Sequence, residues 1–352
     1  MHMADALLSP AVGGTLWAAT AAGVAYSART VRRADDEGRI PLMGVVGAFV
    51  FAAQMINFTI PGTGSSGHLG GGLLLAVLLG PHAAFLVMAS VLAVQALFFA
   101  DGGLLALGAN IFNLGVFPCF VAYPLIYRPL AGRVASGRRI AVGAVAASVV
   151  SLQLGALGVV LETVVSGISE LPFSSFAALM LPIHLAIGLV EGVVTAAVVA
   201  FLWKAQPELV TPTPHRDSGR RQRGKVLAGL GAAALVTGVS LSWFASTRPD
   251  GLEWSVARVA GSEELPSREG GIHGLLARVQ ETLAVLPDYG FRASQDREGG
   301  EAAGEPPAAW PAVDPGTSAS GLVGGLLTLL VAVGVGWGVR RWGTGRGRSG
   351  AP

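Results

Sequence analysis

Nine apolar stretches separated by short polar segments constrain the fold of this chain more than any other feature. They fall at about residues 10–28, 42–58, 69–80, 82–100, 104–127, 140–165, 173–203, 225–245 and 319–340. A helix needs roughly 20 apolar residues to cross a bilayer, and most of the stretches approach or exceed that length. With 52% hydrophobic and 13% charged residues, the composition excludes an ordinary soluble domain. We therefore expect an all-α polytopic membrane protein, in which the third stretch is too short to cross alone.

The basic residues predict how the chain is oriented, because cytoplasmic loops retain Lys and Arg. Outside segment 246–318, where acidic residues outnumber basic ones, they cluster in segments 29–39, 128–139, 204–225 and 340–352. Placing these four clusters inside leaves the N-terminus, the loop 59–68 and segment 246–318 outside. This pattern predicts a seven-span module over 1–204, a basic cytoplasmic linker over 205–224, and a two-span module over 225–352.

The first two residues, Met1 and His2, form a potential metal clamp. The α-amine of Met1, the amide nitrogen between the two residues and the imidazole of His2 together offer a divalent cation three nitrogens in a row. Nitrogen ligands suit Ni²⁺ and Co²⁺, and a tetragonal all-nitrogen set points to Ni²⁺ or Cu²⁺. The alternative is that His2 merely follows the initiator. We expect Met1 to be retained, since the initiator is trimmed only before small residues.

A glycine-rich loop supplies a second histidine, His68, within Asn57-Phe-Thr-Ile-Pro-Gly-Thr-Gly-Ser-Ser-Gly-His68-Leu-Gly-Gly-Gly72. The glycines free the backbone to bend back into the bundle, which is tolerated at membrane depth where protein or a water-filled cavity covers the loop. We take the His68 imidazole as the candidate fourth nitrogen. The alternative is an ordinary interfacial histidine in a flexible turn.

Several polar residues in or beside the apolar stretches are candidates for holding these imidazoles in place, as groups behind metal ligands often do. They are Asp5, Asn57, Gln95, Asp101, Asn110, Asn113 and His184. The amides are equally suited to hydrogen bonds between helices. For His184, which shares a helical face with Glu191, a role in helix packing or coupling is favoured over direct ligation.

Two other features exclude alternative chemistries. Gly219 to Val226 fits the G-x-x-x-x-G-K part of a phosphate-binding loop, but Val226 stands where Ser or Thr must reach Mg²⁺, and no strand precedes it. We therefore expect this chain to bind no nucleotide. The single cysteine, Cys119, lies in an apolar run and excludes an intramolecular disulfide and a Cys-based metal cluster. An enzyme is disfavoured too, because neither a nucleophile–base pair nor paired carboxylates stand at useful spacing.

Four segments carry a resemblance to a known family. They are MHMADALLSP at the N-terminus, NFTIPGTGSSGHLGGG, VLAVQALFFADGGLLALGANIFN and HLAIGLVEG. They resemble the CbiM/NikM family, the substrate-specific S components of energy-coupling-factor cobalt and nickel ABC transporters. The segments RPDGLE at 248–253 and LPDYGF at 286–291 resemble the PDGLE domain, which corresponds to the small N subunit and is here fused to the M subunit. Met3 and Ala6-Leu7 replace the family's usual Ile and Gly-aromatic pair.

The resemblance implies a function and its partners. The nitrogens that bind the metal in this family correspond to the amine of Met1, the amide and imidazole of His2, and the imidazole of His68. It implies uptake of Ni²⁺ for metalloenzymes or Co²⁺ for cobalamin biosynthesis, in the plasma membrane of a prokaryote. ATP hydrolysis would reside in two ATPase subunits joined by a transmembrane T subunit, and no nucleic-acid partner is expected. The alternative is a membrane metal sensor or scaffold that transports nothing.

Overall fold

The computed structural model describes residues 2–34, 38–132, 136–207, 220–262, 265, 270–292 and 310–344. Their regular structure is helical apart from one short hairpin, in which β1 (Phe58–Thr59) pairs antiparallel with β2 (Ser66–Gly67). The helices are α1 Pro10–Ala34, α2 Arg39–Gln54, α3 Gly72–Leu79, α4 Pro81–Phe98, α5 Leu107–Ala131, α6 Gly137–Ser166, α7 Phe173–Ala205, α8 Arg220–Val239, α9 Gly251–Ala260, α10 Gly271–Leu283 and α11 Pro315–Thr344.

The predicted all-α membrane fold is confirmed. By length and composition, five of the described helices are able to cross a bilayer, namely α4, α5, α6, α7 and most of α11. The helix α2 and residues Gly224–Val239 of α8 are shorter apolar helices. Every predicted apolar stretch contains a helix, although the helix bounds differ. The second stretch, for example, ends in a helix at Gln54, and its last residues enter the β1 strand.

The third apolar stretch, which is too short to span alone, forms the centre of the bundle. All eight residues of α3 are buried, because α2, α4, α5 and α7 pack around it. Gly80 has φ +75° and separates α3 from α4, which begins at Pro81. Proline suits a first helical turn but cannot donate a backbone hydrogen bond within a helix, so the chain turns here. A helix covered on all sides need not match the bilayer thickness.

Prolines also shape α5. Residues Phe112–Tyr127 of this helix are π-helical, and Pro118 and Pro124 lie inside that stretch. Each proline lacks a backbone N–H and displaces the regular hydrogen-bonding pattern. The buried Cys119 lies on this helix with its Sγ near the carbonyl of Gly72 in α3, in a packing position.

The two long helices of the second module, α8 and α11, pack against α2 and against each other. Gly238 and Gly321 meet at the α8–α11 contact, where a Cβ atom would collide with the opposing backbone. Small residues permit this close approach between membrane helices. Between them, α9 lies on α7 and α10 lies on α4. The short helices thus cover the end of the bundle that carries His2 and His68.

Candidate metal centre

The N-terminal segment is inserted into the bundle beside the loop between α4 and α5. Met3 is fully buried, and its backbone N–H donates to Asn110 Oδ1 at 2.8 Å. Its carbonyl accepts from Gly103 N at 2.9 Å and from Asn110 Nδ2 at 3.2 Å. Asp5 Oδ1 accepts from the backbone N–H of Ala106 at 2.9 Å. Asn110 and Asp5, two of the predicted polar residues, therefore fix the backbone next to His2.

The imidazoles of His2 and His68 lie against each other. Their ring centroids are 5.1 Å apart and their planes differ by 14°. His2 Nδ1 lies 2.8 Å from Asp101 Oδ1, and because a carboxylate only accepts, the hydrogen is on Nδ1. His2 Nε2 is buried without a hydrogen-bond partner among the described residues. Met1 lies outside the described residues, so its contribution stays a prediction.

The loop that carries His68 is held tightly rather than being flexible. Gly67 touches α7 so closely that a Cβ there would lie 2.5 Å from a carbon of Ile187. Beyond the histidine, Gly70 N and Gly71 N donate to the two oxygens of Glu191 at 2.7 and 3.2 Å. A carboxylate that accepts two backbone N–H groups makes strong, charge-assisted bonds. Glu191 thus clamps the chain immediately after His68.

Two glutamines support the same loop from the other side. Gln54 donates through Nε2 to the carbonyl of Gly70 at 2.8 Å. Gln95 in turn donates through Nε2 to Gln54 Oε1 at 2.8 Å. The predicted Gln95 therefore acts on the loop through the side chain of Gln54, and its hydrogen bond is not to an imidazole. Its effect on the site is to hold the backbone two residues from His68.

The His68 side chain is 9% exposed, and both its nitrogens face polar groups. Nδ1 lies 3.2 Å from the carbonyl of Leu69, and Nε2 lies 3.9 Å from Asp250 Oδ2. Burial disfavours the charged imidazole and lowers the pKa of His68 to about 3. The ring is therefore neutral at physiological pH, which is the form that binds a metal ion.

A cavity of about 10 Å³ adjoins His68 on the side of α7. His184 lines it, together with Asp250 and Gly251. His184 Nδ1 bonds to the carbonyl of Met180 at 2.8 Å, while its buried Nε2 has no hydrogen-bond partner in the described part of the chain. The predicted His184 is thus separated from His68 by a space of about one water molecule.

The remaining predicted amides serve other contacts. Asn113 donates through Nδ2 to Glu162 Oε2 at 2.8 Å, which links α5 to α6. The carbonyl of Asn57 accepts from the backbone N–H of Ser246 at 2.7 Å, which links the His68 loop to the second module. The structure thus brings His2, His68, Asp101 and His184 together and places the two asparagines outside this group.

Two residues of the second module reach the site, and sequence reasoning did not single them out. Asp250 faces His68 while its Oδ1 caps α9 by accepting from Leu252 N and Glu253 N. Tyr289 donates its hydroxyl to Asp101 Oδ2 at 2.5 Å. Both lie in the segments that carry the PDGLE resemblance, RPDGLE and LPDYGF. The resemblance of these two segments to the PDGLE domain was the sequence feature that could have pointed to them. It does not indicate which residues of the first module they contact.

The electrostatics of Asp101 favour a charged carboxylate. Burial alone would raise its pKa, but the charge and hydrogen bond of His2 and the hydrogen bond of Tyr289 outweigh burial. The pKa of Asp101 therefore lies below its ordinary value. A partly buried negative charge beside an imidazole creates a local potential that attracts cations.

Side chains alone do not complete a metal site here. No group of three His, Cys, Asp or Glu residues converges in metal-binding geometry within the ranges that the structure describes. The stacked imidazoles provide two nitrogen donors, and the further donors of a four-coordinate site remain a prediction. The sequence predicts the amine of Met1 and the amide nitrogen of His2 as these further donors.

Comparison with known proteins identifies the family. The family model for the cobalt uptake substrate-specific transmembrane region, CbiM, matches residues 2–209. The chain belongs to the CbiM family. The PDGLE domain model matches residues 224–341, so the expected CbiM/NikM resemblance with a fused PDGLE domain is confirmed.

Some relatives match both modules, and others match the first module alone. The fused nickel transport protein NikMN of Rhodobacter capsulatus is 34% identical over 314 residues, covering 82% of this chain and 88% of the relative. The cobalt transport protein CbiM of Sorangium cellulosum is 34% identical over 217 residues, covering 60% and 94%. The crystal structure of a truncated transition metal transporter superposes with a TM-score of 0.51 at 31% identity. The match covers 58% of this chain and 99% of that chain.

Proposed function

We propose that this chain is the substrate-binding membrane component of an energy-coupling-factor transporter that captures Ni²⁺ or Co²⁺ outside the cell. The stacked pair of His2 and His68 carries the proposal. Two buried imidazoles, held by different elements and lying beside the carboxylates of Asp101 and Asp250, form a nitrogen site with a favourable potential for a cation.

The proposed ligand set is the amine of Met1, the amide nitrogen and imidazole of His2, and the imidazole of His68. Nitrogen donors suit borderline cations, and the general affinity order places Ni²⁺ above Co²⁺. The relative reported above that aligns along both modules is named for nickel transport, whereas the cobalt-named relative matches the first module. We therefore propose nickel as the preferred cargo of this fused chain.

The predicted orientation completes the proposal. With the clusters of Lys and Arg inside, the histidine pair lies at the extracytoplasmic end, where an incoming ion is captured. Energy for the inward step comes from partner chains, namely a transmembrane T subunit and two ATPase subunits. The relatives' names as metal transport proteins support transport over the sensor or scaffold alternative.

Uptake of radioactive nickel and cobalt by cells that express the chain with its partner subunits tests this function. We expect His2→Ala and His68→Ala to abolish uptake, and His82→Ala, which changes a histidine beside Ser27 away from the pair, to retain it. Undiminished uptake by both site variants would refute the proposal. Metal binding by the purified chain without uptake in complete cells would favour the sensor.

A further inference from the structure

A chain of two hydrogen bonds joins His2 to the second module. Tyr289 donates its hydroxyl to Asp101 Oδ2 at 2.5 Å, and Asp101 Oδ1 accepts from His2 Nδ1 at 2.8 Å. The Tyr289 ring stacks on Phe99 with centroids 5.0 Å apart, which fixes the hydroxyl in place. The two oxygens of Asp101 thus connect the two modules, one oxygen facing each.

The nitrogen that Asp101 holds is the one that the proposed chelate requires. When a cation binds the amide nitrogen of His2, only Nδ1 of the same residue closes a small chelate ring with it. Nε2 lies on the far side of the imidazole and cannot reach that cation. Since a carboxylate oxygen 2.8 Å from a ring atom requires an N–H there, the carboxylate fixes which ring atom faces it. Nδ1 cannot donate a hydrogen bond to Asp101 and bind the cation at the same time.

The backbone on both sides of this contact is strained. Ala100, Asp288 and Tyr289 have φ angles of +55°, +47° and +59°, in the left-handed region that residues with side chains seldom adopt. In the described part of the chain, these are the non-glycine residues with positive φ, and all of them adjoin the Tyr289–Asp101 contact. Such strain persists only where the surroundings impose it, and it clusters at ligand clamps and switches.

Hydrogen bonds from the second module impose the strained path of the loop that carries Asp101. Leu286 N donates to the carbonyl of Phe98 at 3.2 Å, before the aspartate. Gln280 donates through Nε2 to the carbonyl of Gly102 at 2.7 Å, directly after it. The second module therefore helps to position the carboxylate relative to His2, together with the bonds that Asp101 N and Gly103 N donate within the first module.

We propose that Tyr289 and Asp101 form a latch on His2, through which the second module controls how fast the site takes up its cation. Loading requires His2 Nδ1 to exchange the carboxylate for the cation: the proton on Nδ1 is transferred through solvent to Nε2, the amide proton of His2 is released to solvent, and Nδ1 and the amide nitrogen bind the cation. Loosening the carboxylate accelerates that exchange. This inference rests on the clamp proposed above. Tyr289 acts through Asp101 and is therefore a positioning residue.

The variant Tyr289→Phe tests the latch, because it keeps the ring stacked on Phe99 and removes only the hydroxyl. The charge of Asp101, which attracts the cation, also remains. A hydrogen bond to a charged group is worth roughly a tenfold change in an equilibrium. We therefore expect Ni²⁺ to associate about three- to tenfold faster with the purified full-length variant, as followed by stopped-flow absorbance, with an unchanged spectrum of the bound nickel.

Two further variants complete the experiment. Gln280→Leu removes the bond to the Gly102 carbonyl and loosens the same loop from another side, so it should also accelerate the association of Ni²⁺. If Tyr289→Phe does not fold, this variant provides the test. The exposed Tyr26→Phe makes the same chemical change away from the loop and should leave the rate unaltered.

The outcomes separate the latch from the proposed function. Association at the wild-type rate, or slower and weaker binding, in Tyr289→Phe and Gln280→Leu would overturn the latch, because a supporting role lowers affinity instead of raising the rate. If the wild-type chain binds no Ni²⁺, or if His2→Ala binds it as well as the wild type, the proposed function itself fails.

Discussion

Asp250 Oδ2 lies 3.9 Å from His68 Nε2, although the two residues belong to different modules. The carboxylate also caps α9, so its position is fixed by the helix that it begins. A single side chain thus ties the start of a helix in the second module to a proposed metal ligand in the first. This relationship allows the electrostatic and structural roles of Asp250 to be separated.

Asp250→Asn should weaken Ni²⁺ binding by about three- to tenfold without changing thermal stability. Asparagine caps helices as well as aspartate does, but it lacks the charge that attracts the cation at this distance. Asp250→Ala should show the same loss of affinity and, in addition, cost about 1 kcal/mol in stability through the lost cap. Calorimetric titration and thermal unfolding in detergent measure both quantities. Equal affinity of Asp250→Asn and the wild type would exclude the electrostatic role.

Glu191→Gln should loosen the loop that carries His68. One of the two carboxylate oxygens, each of which accepts from a backbone N–H, becomes an amide NH₂ that faces an N–H group, so the charge-assisted bond from Gly70 or Gly71 is lost. Bonds of this kind contribute roughly 1.5–3 kcal/mol. We expect a lower apparent melting temperature and weaker Ni²⁺ binding. The control Glu170→Gln changes an exposed glutamate and should leave both unaffected; if it has the same effect, the interpretation fails.

Gly251→Ala should separate α9 from α7. A Cβ at this position would lie 2.5 Å from Ile183 Cγ2 and 3.2 Å from His184 Cε1. Overpacking of this kind costs about 1–3 kcal/mol, and moving α9 also moves Asp250 away from His68. Reduced melting temperature together with reduced affinity is the expected result. Gly229→Ala is the matched control, because nothing lies within 4 Å of a Cβ there and alanine favours the helix.

Adding three glycines before Met1 should abolish tight binding of Ni²⁺. The extension converts the α-amine of Met1 into an amide and places the new amine three residues further away, beyond the chelate. Changes behind a metal ligand typically cost 10–100-fold in affinity, so the loss of a direct ligand should cost at least about 100-fold. Titration of the purified protein measures it, with three glycines added after Pro352 as control. Wild-type affinity in the extended protein would show that the amine does not bind the metal.

Much of the architecture follows from local sequence. Each apolar stretch contains a helix because length and hydropathy are properties of consecutive residues, and these suffice for a helix in a membrane. The helix bounds were less predictable. Phe58 continues the hydrophobic run beyond Gln54, yet it forms a strand because it pairs with Gly67 on the far side of the glycine-rich loop.

Some contacts of the candidate site join residues that the sequence indicates. His2 and His68 were selected by their chemistry, and the fold places their rings in contact. Asp101 was selected as a polar residue at the end of a span, and it bonds to His2. By contrast, the roles of Asp250, Glu191 and Tyr289 at the site were not predictable from their surroundings in the chain, since each acts on a residue more than a hundred positions away.

The sequence by itself determined that this is a helical membrane protein, which family it resembles, and which nitrogens suit a divalent cation. The tertiary structure alone decided that the second module reaches both histidines, one through Asp250 and the other through Tyr289 and Asp101. The physical reason is that hydropathy and helical periodicity report on neighbours within a few turns. Contacts between distant loops depend instead on how the whole bundle packs, which no local pattern records.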